Sequence, residues 1–315
     1  MSFIFLIIGF VFLIKGADLF VEGAASIAKK FNVPAMVIGL TVVAMGTSAP
    51  EAAVSITSSL AGQNDMSVAN VVGSNFFNIL VVLGVSSIIA TLPVEKNTIK
   101  KDAPFLLIVS GLLFLFGINL RISRVEGLIF LGLFIYFLIN TVKNAKNNAL
   151  DGEEEAAITA EVENVVEFSI PKTILLSVIG IAGIILGGDM VVDSATKIAT
   201  TLGMSANLVG LTIVAVGTSL PEFVTSIVAI RKGETEIAIG NVIGSNLFNI
   251  LLVLGLATSI KPITISMFAL FDIAFMVLIT ILLYLFMKKN NSLVRKQGII
   301  LVAIYIVYMV YTIIR

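Results

Sequence analysis

The stretch of sequence that decides the fold is Gly39–Glu51, which reads GLTVVAMGTSAPE. It returns 171 residues later as GLTIVAVGTSLPE at Gly210–Glu222, with ten of the thirteen positions identical. Each copy places a glutamate beside Gly, Thr, Ser and Pro inside an otherwise apolar run. A carboxylate surrounded by lipid is energetically costly, so a glutamate within a membrane indicates a functional site. Two of them at matching places in a duplicated chain predict one site built from two halves.

The composition is that of a membrane protein. Of the 315 residues, 58% are hydrophobic and only 13% are charged, with a mean hydropathy of +1.08, whereas soluble domains carry about 25% charged residues. The net charge is zero, so no basic surface points to nucleic acid. The chain contains neither Cys nor His, which excludes disulfides, thiolate or histidine zinc ligands and a histidine general base.

Ten apolar segments are long enough to span a membrane, because a spanning helix needs roughly 20 residues. They lie at residues 2–28, 33–61, 66–91, 100–118, 123–143, 170–202, 205–231, 235–260, 266–287 and 294–313. The sequence therefore predicts an all-α membrane protein with ten transmembrane helices.

The duplication extends over the whole chain. A second motif at 70–84 recurs at 241–255 with the same offset. We therefore assign the first five-helix repeat to 1–143 and the second to 170–315, joined by an acidic, solvated linker at 144–169. Because five is odd, the second repeat must enter the membrane from the opposite side. Such inverted repeats are typical of transporters, whose binding site lies where the repeats meet, near the membrane midplane.

The distribution of Lys and Arg predicts the orientation. Fourteen of these residues lie in the loops on one side of the membrane and five on the other, with Lys15 inside the first span. Cytoplasmic loops carry the excess of positive charge. We therefore expect the linker to lie in the cytoplasm and both termini to face outward, in an integral protein of the plasma membrane.

Helices 2 and 7 are predicted to be broken. Pro50 and Pro221 each remove a backbone donor and clash with the carbonyl four residues earlier, and irregular backbone at membrane depth must line protein or a polar cavity. The carbonyls that we expect to be freed belong to Ala44, Thr47, Ala215 and Thr218, and the adjacent hydroxyls belong to Thr47, Ser48, Thr218 and Ser219.

These groups are hard oxygen donors, and with Glu51 and Glu222 they suit Ca²⁺, Mg²⁺ or Na⁺. Two carboxylates balance the charge of one Ca²⁺, and neutral oxygens can complete its usual six to eight ligands. Mg²⁺ fits such a site less well, because it retains its water more tightly. The residues assigned to the divalent ion itself are Glu51, Glu222, Thr47 and Thr218.

The second motif supplies the other wall of the predicted site. Within each copy a serine and an asparagine lie four residues apart and share one helical face: Ser74 with Asn78, and Ser245 with Asn249. Asn75 and Asn246 lie on a different face, which predicts hydrogen bonds between packed helices. Gly73 and Gly244 are expected to allow close helix approach. Four further acids are expected near span ends or in a polar vestibule: Asp18, Glu22, Asp189 and Asp193.

With these four motif copies in this order, the chain resembles the cation/Ca²⁺ exchanger superfamily, and within it the prokaryotic Na⁺/Ca²⁺ antiporters related to K⁺-dependent exchangers. The resemblance implies that helices 2, 3, 7 and 8 surround the cation sites while helices 1 and 6 slide past them. Glu51 and Glu222 would be shared Ca²⁺ and Na⁺ ligands, with the serines, threonines and alanine carbonyls completing the sites. K⁺-dependent members use an Asp where this chain has Asn249, and Asn78 is also neutral, which puts K⁺ cotransport in question.

The function predicted is therefore secondary antiport of Na⁺ against Ca²⁺ by alternating access. We expect no enzymatic activity, no cofactor beyond the transported ions, no nucleic acid and no obligatory protein partner. A Ca²⁺/H⁺ exchanger, or an exchanger of another divalent cation such as Mn²⁺, using the same glutamates stays open. An intramembrane enzyme is disfavoured by the lack of zinc ligands, and tight coupling of opposing fluxes would exclude a passive channel or a Ca²⁺ sensor.

Overall fold

The computed structural model describes residues 2–31, 33–60, 64–148, 168–203 and 215–314, and every structural statement below concerns these ranges. The helices of the first half are α1 (Ser2–Phe31), α2 (Ala35–Ile38), α3 (Ala44–Thr47), α4 (Ala49–Leu60), α5 (Asn64–Phe76), α6 (Leu83–Ile89), α7 (Ala103–Gly117) and α8 (Arg124–Asn148). Those of the second half are α9 (Ile170–Thr201), α10 (Ala215–Gly217), α11 (Leu220–Arg231), α12 (Thr235–Phe248), α13 (Gly255–Ile260), α14 (Met267–Asn290) and α15 (Arg295–Ile314). π-Helical turns join several of them, at Gly39–Val43, Phe77–Val82, Thr98–Asp102 and Asn249–Leu254.

Within the described ranges, six helices are long and apolar enough to cross a membrane. They are Ser2–Phe31, Ser67–Ile89, Arg124–Lys143, Ile170–Thr201, Thr235–Ile260 and Met267–Asn290. The pair Ala35–Thr47 and Ala49–Ile56, bent by 46°, can be counted as a seventh, broken span, which confirms the predicted break in helix 2. The all-helical membrane fold is thus confirmed, while the count of ten spans stays a prediction. Part of the predicted span 205–231 lies outside the described residues.

Helix α8 extends beyond the end of its membrane span at Lys143. Helix α8 continues to Asn148, although the apolar run ends near residue 143. Polar side chains end a membrane span but not a helix, and no Gly or Pro follows residue 143 until Gly152. The rest of the linker, from residue 149 to 167, lies outside the described residues.

Helices α1 and α9 pack against each other in opposite directions. A Cβ atom built on Gly9 would lie 3.0 Å from the carbonyl oxygen of Gly187, and one built on Gly16 would lie 2.8 Å from that of Gly180. As the residue number rises along α1, its contact on α9 falls, so the two helices are antiparallel. The two pairs exchange under the offset of 171, because Gly9 corresponds to Gly180 and Gly16 to Gly187. The halves are therefore related by a pseudo-twofold axis and are inverted, as predicted.

Short strand pairs cross between the halves with the same symmetry. β1 (Leu92–Pro93) pairs antiparallel with β4 (Ser292–Leu293), and β2 (Arg121–Ile122) pairs antiparallel with β3 (Ile263–Thr264). The offset of 171 converts the Leu92–Leu293 pair into the Ile263–Ile122 pair. Each half therefore closes on the other at both ends of the bundle.

The two helices that carry the second motif lie at the centre. In the apolar window of Thr235–Ile260, 94% of the residues are buried, and in that of Ser67–Ile89 72% are, against 33% for both α1 and α9. Each central helix passes through a π-helical turn, and Asn78 and Asn249 lie at or beside the start of these turns. Such turns are rare and occur frequently at functional sites.

One ion cluster departs from the twofold symmetry. At the end of α11, Lys232 Nζ lies 2.8 Å from Glu22 Oε1 and 3.8 Å from Asp18 Oδ1, both on α1. The equivalent acids on α9, Asp189 and Asp193, are exposed, and the position equivalent to Lys232 is Ala61. All four acids belong to α1 and α9 and make none of the site contacts described below.

We predict that Gly180→Ala destabilises the protein, because the added methyl group would lie 2.7 Å from Phe20 N and 2.8 Å from Gly16 O, both backbone atoms. Overpacking of this kind costs about 1–3 kcal/mol, and the expected result is a lower melting temperature of the detergent-solubilised protein. Gly132→Ala on α8 is the matched control, because no described atom lies within 4 Å of its added Cβ. Equal melting temperatures for the two variants would contradict the packing described.

Candidate functional site

Both repeats break their helix at the serine of the Gly-Thr-Ser-x-Pro-Glu motif. Ser48 lies between α3 and α4 with φ −85° and ψ 9°, and Ser219 precedes α11 with φ −95° and ψ 7°. The following prolines have no N–H to continue the preceding turn. Each break is therefore followed within one turn by Glu51 or Glu222, and the predicted breaks in helices 2 and 7 are confirmed.

A reciprocal exchange of hydrogen bonds brings the two glutamate motifs together. Ser48 Oγ donates to Glu222 Oε1 at 2.8 Å, and Ser219 Oγ donates to Glu51 Oε1 at 3.1 Å. Each serine thus contacts the glutamate of the opposite repeat. Both carboxylates are fully buried. Ser245 Oγ also donates to Glu222 Oε1, at 3.4 Å. The prediction that inversion brings the two motifs together is confirmed by these contacts.

A repeated asparagine, which the sequence analysis did not single out, anchors each glutamate segment. Asn70 Nδ2 donates to Glu51 O at 3.2 Å and to Ser55 Oγ at 2.9 Å. In the other half, Asn241 Nδ2 donates to Glu222 O at 3.2 Å and to Ser226 Oγ at 3.0 Å. Both asparagines open the second motif, so their recurrence at the offset of 171 was the signal that could have identified them.

Several buried oxygen atoms of the predicted site residues have no hydrogen-bond partner within the described part of the chain. They are Glu51 Oε2, Glu222 Oε2, Ser74 Oγ, Asn78 Oδ1, Asn249 Oδ1 and Thr218 Oγ1. Buried polar atoms are nearly always paired, and unpaired ones are costly. Each of these atoms can act as an acceptor, so the set has the chemistry of a cation site.

The ligands of such a site would be mostly neutral. Among the described residues, no group of three or more acidic, His or Cys side chains is arranged to hold a metal ion. Glu51 and Glu222 are thus the carboxylates available at this site, and hydroxyl, amide and backbone oxygens must complete any coordination shell.

Not all predicted ligands are free. The expectation that the break releases the Ala44 carbonyl is wrong, because Ser48 N donates to Ala44 O at 3.0 Å. The single Thr47 hydroxyl proton is shared among three acceptors, Val43 O and Asn241 Oδ1 at 3.1 Å each and Ala44 O at 3.4 Å. The Ser219 amide donates to Val216 O instead of Ala215 O, so this bond does not occupy the Ala215 carbonyl. The helix breaks in the two repeats therefore leave different carbonyl groups bonded to the serine amide, and sequence alone does not reveal this difference.

The packing predictions for the second motif are partly confirmed. A Cβ on Gly244 would contact Leu40 O, which shows how closely α12 approaches the first repeat. No described atom lies within 4 Å of a Cβ on Gly73, and the residue equivalent to Leu40 is Leu211, outside the described ranges. Asn75 and Asn246 form interhelical hydrogen bonds as predicted, since Asn75 Nδ2 donates to Asn246 O at 3.4 Å.

By fold and site, this is a multi-pass membrane transporter with two inverted halves around a pair of buried carboxylates, and not an enzyme. The chain belongs to the sodium/calcium exchanger protein family, because the sequence model of that family matches residues 1–143 and 172–314. The resemblance drawn from the motifs is thereby confirmed.

Curated relatives and solved structures agree with this assignment. The chain is 41% identical over 309 residues to the putative antiporter CaxA of Alkalimonas amylolytica, covering 97% of this chain and 96% of that protein. It is 33% identical over 341 residues to the sodium/calcium exchanger MaX1 of Methanosarcina acetivorans, covering 98% and 97%. The solved structure of the sodium-calcium exchanger NCX_Mj superposes with a TM-score of 0.85 at 33% identity, covering 98% of this chain and 97% of that one.

We predict that Asn241→Leu lowers the stability of the protein. The substitution leaves Glu222 O and Ser226 Oγ without the amide that now donates to them, and a buried polar group left unpaired costs about 1–3 kcal/mol. Thermal denaturation should show a lower melting temperature than for Asn140→Leu, a control on the exposed face of α8. If both variants melt at the wild-type temperature, Asn241 does not anchor the glutamate segment.

Proposed function

We propose that the chain exchanges Na⁺ for Ca²⁺ across the plasma membrane, and that both cations compete for a site around Glu51 and Glu222. The observation that carries the proposal is the set of unpaired, buried acceptor oxygens beside two buried carboxylates. The names of the relatives and of the matched structure support Na⁺ and Ca²⁺ as the cargo.

The chemistry of the site favours a divalent cation. Two carboxylates together carry the charge that one Ca²⁺ neutralises, and hydroxyl and amide oxygens are among the ligands that Ca²⁺ accepts. The proposed ligand set is Glu51, Glu222, Thr47, Thr218, Ser48, Ser219, Ser74, Ser245, Asn78, Asn249 and the carbonyls of Ala44 and Ala215. Ala44 O already accepts from Ser48 N at 3.0 Å and from Thr47 Oγ1 at 3.4 Å, so a cation there would replace the longer of these two bonds.

Coupling follows from the cost of buried charge. Carboxylates without a counter-ion in a low-dielectric interior are strongly destabilising, so the site must be loaded for the protein to change between its two access states. Ca²⁺ on one side and Na⁺ on the other satisfy this requirement in turn. The antiparallel contact between α1 and α9 lies outside the site, and these are the helices that the family resemblance assigns to the sliding motion.

The proposed orientation follows the distribution of Lys and Arg. The end of α11 with Lys232 and the segment 144–169 lie on the cytoplasmic side, and both termini lie outside. Reaction of single introduced cysteines at residues 163 and 261 with an impermeant reagent tests this, because the chain has no native Cys. Labelling of residue 163 in intact cells would reverse the assignment.

We predict that Glu51→Gln and Glu222→Gln each abolish Ca²⁺ transport. Removing one partner of a buried charge interaction costs about 3–5 kcal/mol, which corresponds to a loss of about 100-fold or more. The measurement is ⁴⁵Ca²⁺ uptake into proteoliposomes driven by an outward Na⁺ gradient. Glu126→Gln is the matched control, because Gln can still accept the hydrogen bond from Ser123 N at the start of α8. Wild-type uptake by either site variant would overturn the assignment.

We predict that uptake depends on Na⁺ and not on K⁺ or protons. Because Asn78 and Asn249 are neutral, the site lacks a third carboxylate to balance an additional cation. Replacing K⁺ by choline on both sides should change the Na⁺-driven uptake by less than about twofold, which is within 1 kcal/mol. A protonophore should leave the uptake intact. Uptake that a pH gradient drives and a Na⁺ gradient does not would favour the alternative Ca²⁺/H⁺ exchanger.

A further inference from the structure

The side chains of four asparagines from the second motif form two matched pairs across the pseudo-twofold axis. Asn78 Nδ2 donates to Asn246 Oδ1 at 3.2 Å, and Asn249 Nδ2 donates to Asn75 Oδ1 at 3.2 Å. The offset of 171 converts one pair into the other. All four side chains are buried, so these bonds form away from water.

Each bond fixes which end of an amide faces the cation site. An asparagine side chain has one end that accepts and one end that donates. Because the nitrogen ends of Asn78 and Asn249 are held by the opposite repeat, their oxygen ends remain, and both Oδ1 atoms are buried without a partner in the described ranges. A rotated amide would instead present an N–H group, which repels a cation.

We propose that Asn75 and Asn246 are positioning residues that hold Asn249 and Asn78 in the cation-binding orientation. The inference rests on the proposed function, in that Asn78 and Asn249 contribute oxygen ligands. Asn75 and Asn246 themselves contact the ligand asparagines and not the cation. The role requires an acceptor at each position, which their Oδ1 atoms supply.

Asn75 is itself fixed by neighbouring groups, whereas Asn246 Nδ2 has no hydrogen-bond partner among the described residues. Asn75 Nδ2 donates to Asn246 O at 3.4 Å and lies 3.6 Å from Met276 Sδ, which leaves Asn75 Oδ1 to accept from Asn249. The chain of bonds therefore runs from α14 through Asn75 to the amide of Asn249. Neutral amide ligands need this control, whereas a carboxylate has two equivalent oxygens and binds a cation in either rotation.

The test is a double-mutant cycle on Asn246→Leu and Asn78→Ala, read by equilibrium ⁴⁵Ca²⁺ binding to the purified protein without Na⁺. Each single variant should weaken Ca²⁺ binding about tenfold, the loss expected for one buried hydrogen-bonding ligand. The double variant should bind no more weakly than Asn78→Ala alone, because there is then no amide left to orient. Additive losses, about 100-fold in total, would show that Asn246 acts only through packing.

Asn246 and Asn249, whose side chains do not bond to each other, supply an internal control. Asn246 does not pair with the Asn249 side chain, so Asn246→Leu combined with Asn249→Ala should give additive losses. Asn75→Leu with Asn249→Ala should repeat the non-additive result, and it also serves if Asn246→Leu does not yield folded protein. Ser59→Ala removes another buried bond between the repeats, Ser59 Oγ to Ala257 O at 2.9 Å, and should leave Ca²⁺ affinity unchanged.

The outcomes separate this inference from the proposed function. If Asn78→Ala and Asn249→Ala bind Ca²⁺ like the wild type, the amides are not ligands and the positioning role fails, while exchange at Glu51 and Glu222 stands on its own test. If they bind weakly and the losses with Asn246→Leu and Asn75→Leu are additive, the ligand set stands and the positioning role is overturned.

Discussion

The burial of two carboxylates is the constraint on which the rest of this structure depends. Glu51 and Glu222 are inaccessible to solvent, and a charge removed from water is tolerated only with matching partners. The two oxygens of each carboxylate differ in how they are partnered. Serine hydroxyls of the opposite repeat donate to one oxygen of each glutamate, while the other oxygen has no partner in the part of the chain that the structure describes. A mobile cation is the partner that suits these oxygens and that can also leave.

Because of the duplication, one repeated sequence supplies both halves of this buried cluster. Because the halves are inverted, residues far apart in sequence meet in equivalent pairs: serine with glutamate, and asparagine with asparagine. The antiparallel glycines of α1 and α9 and the crossed strand pairs hold this arrangement from outside the site. Of the six long apolar helices in the described ranges, the two that carry the second motif are the most buried, so their asparagines are surrounded by packed protein.

Sequence predicted the parts of the site that depend on residue type and repetition. The buried glutamates, the breaks before Pro50 and Pro221, and the membrane fold followed from apolar length, charge and the offset of 171. What it missed depends on individual hydrogen bonds. Whether Ala44 O is free is decided by the Ser48 amide, and the anchoring by Asn241 depends on which face of α12 meets α11. The sequence indicates the end of the span near Lys143 but not the end of helix α8 at Asn148, because polarity marks the membrane surface and not the end of a helix.

The ion pairs that Lys232 forms with Glu22 and Asp18 can affect the relative energies of a transporter's states, but they are not part of the cation site. In an exchanger with two identical inverted halves, the inward-open and outward-open states would be related by the twofold axis in the membrane plane and equal in energy. Lys232 contacts Glu22 and Asp18, but its equivalent is Ala61, which can form no such pairs with Asp189 and Asp193. An exposed ion pair contributes about 1 kcal/mol or less, enough to change the ratio of two states about fivefold. In such an exchanger, residues that the duplication does not share, such as Lys232, are the ones that can make the two states differ in energy.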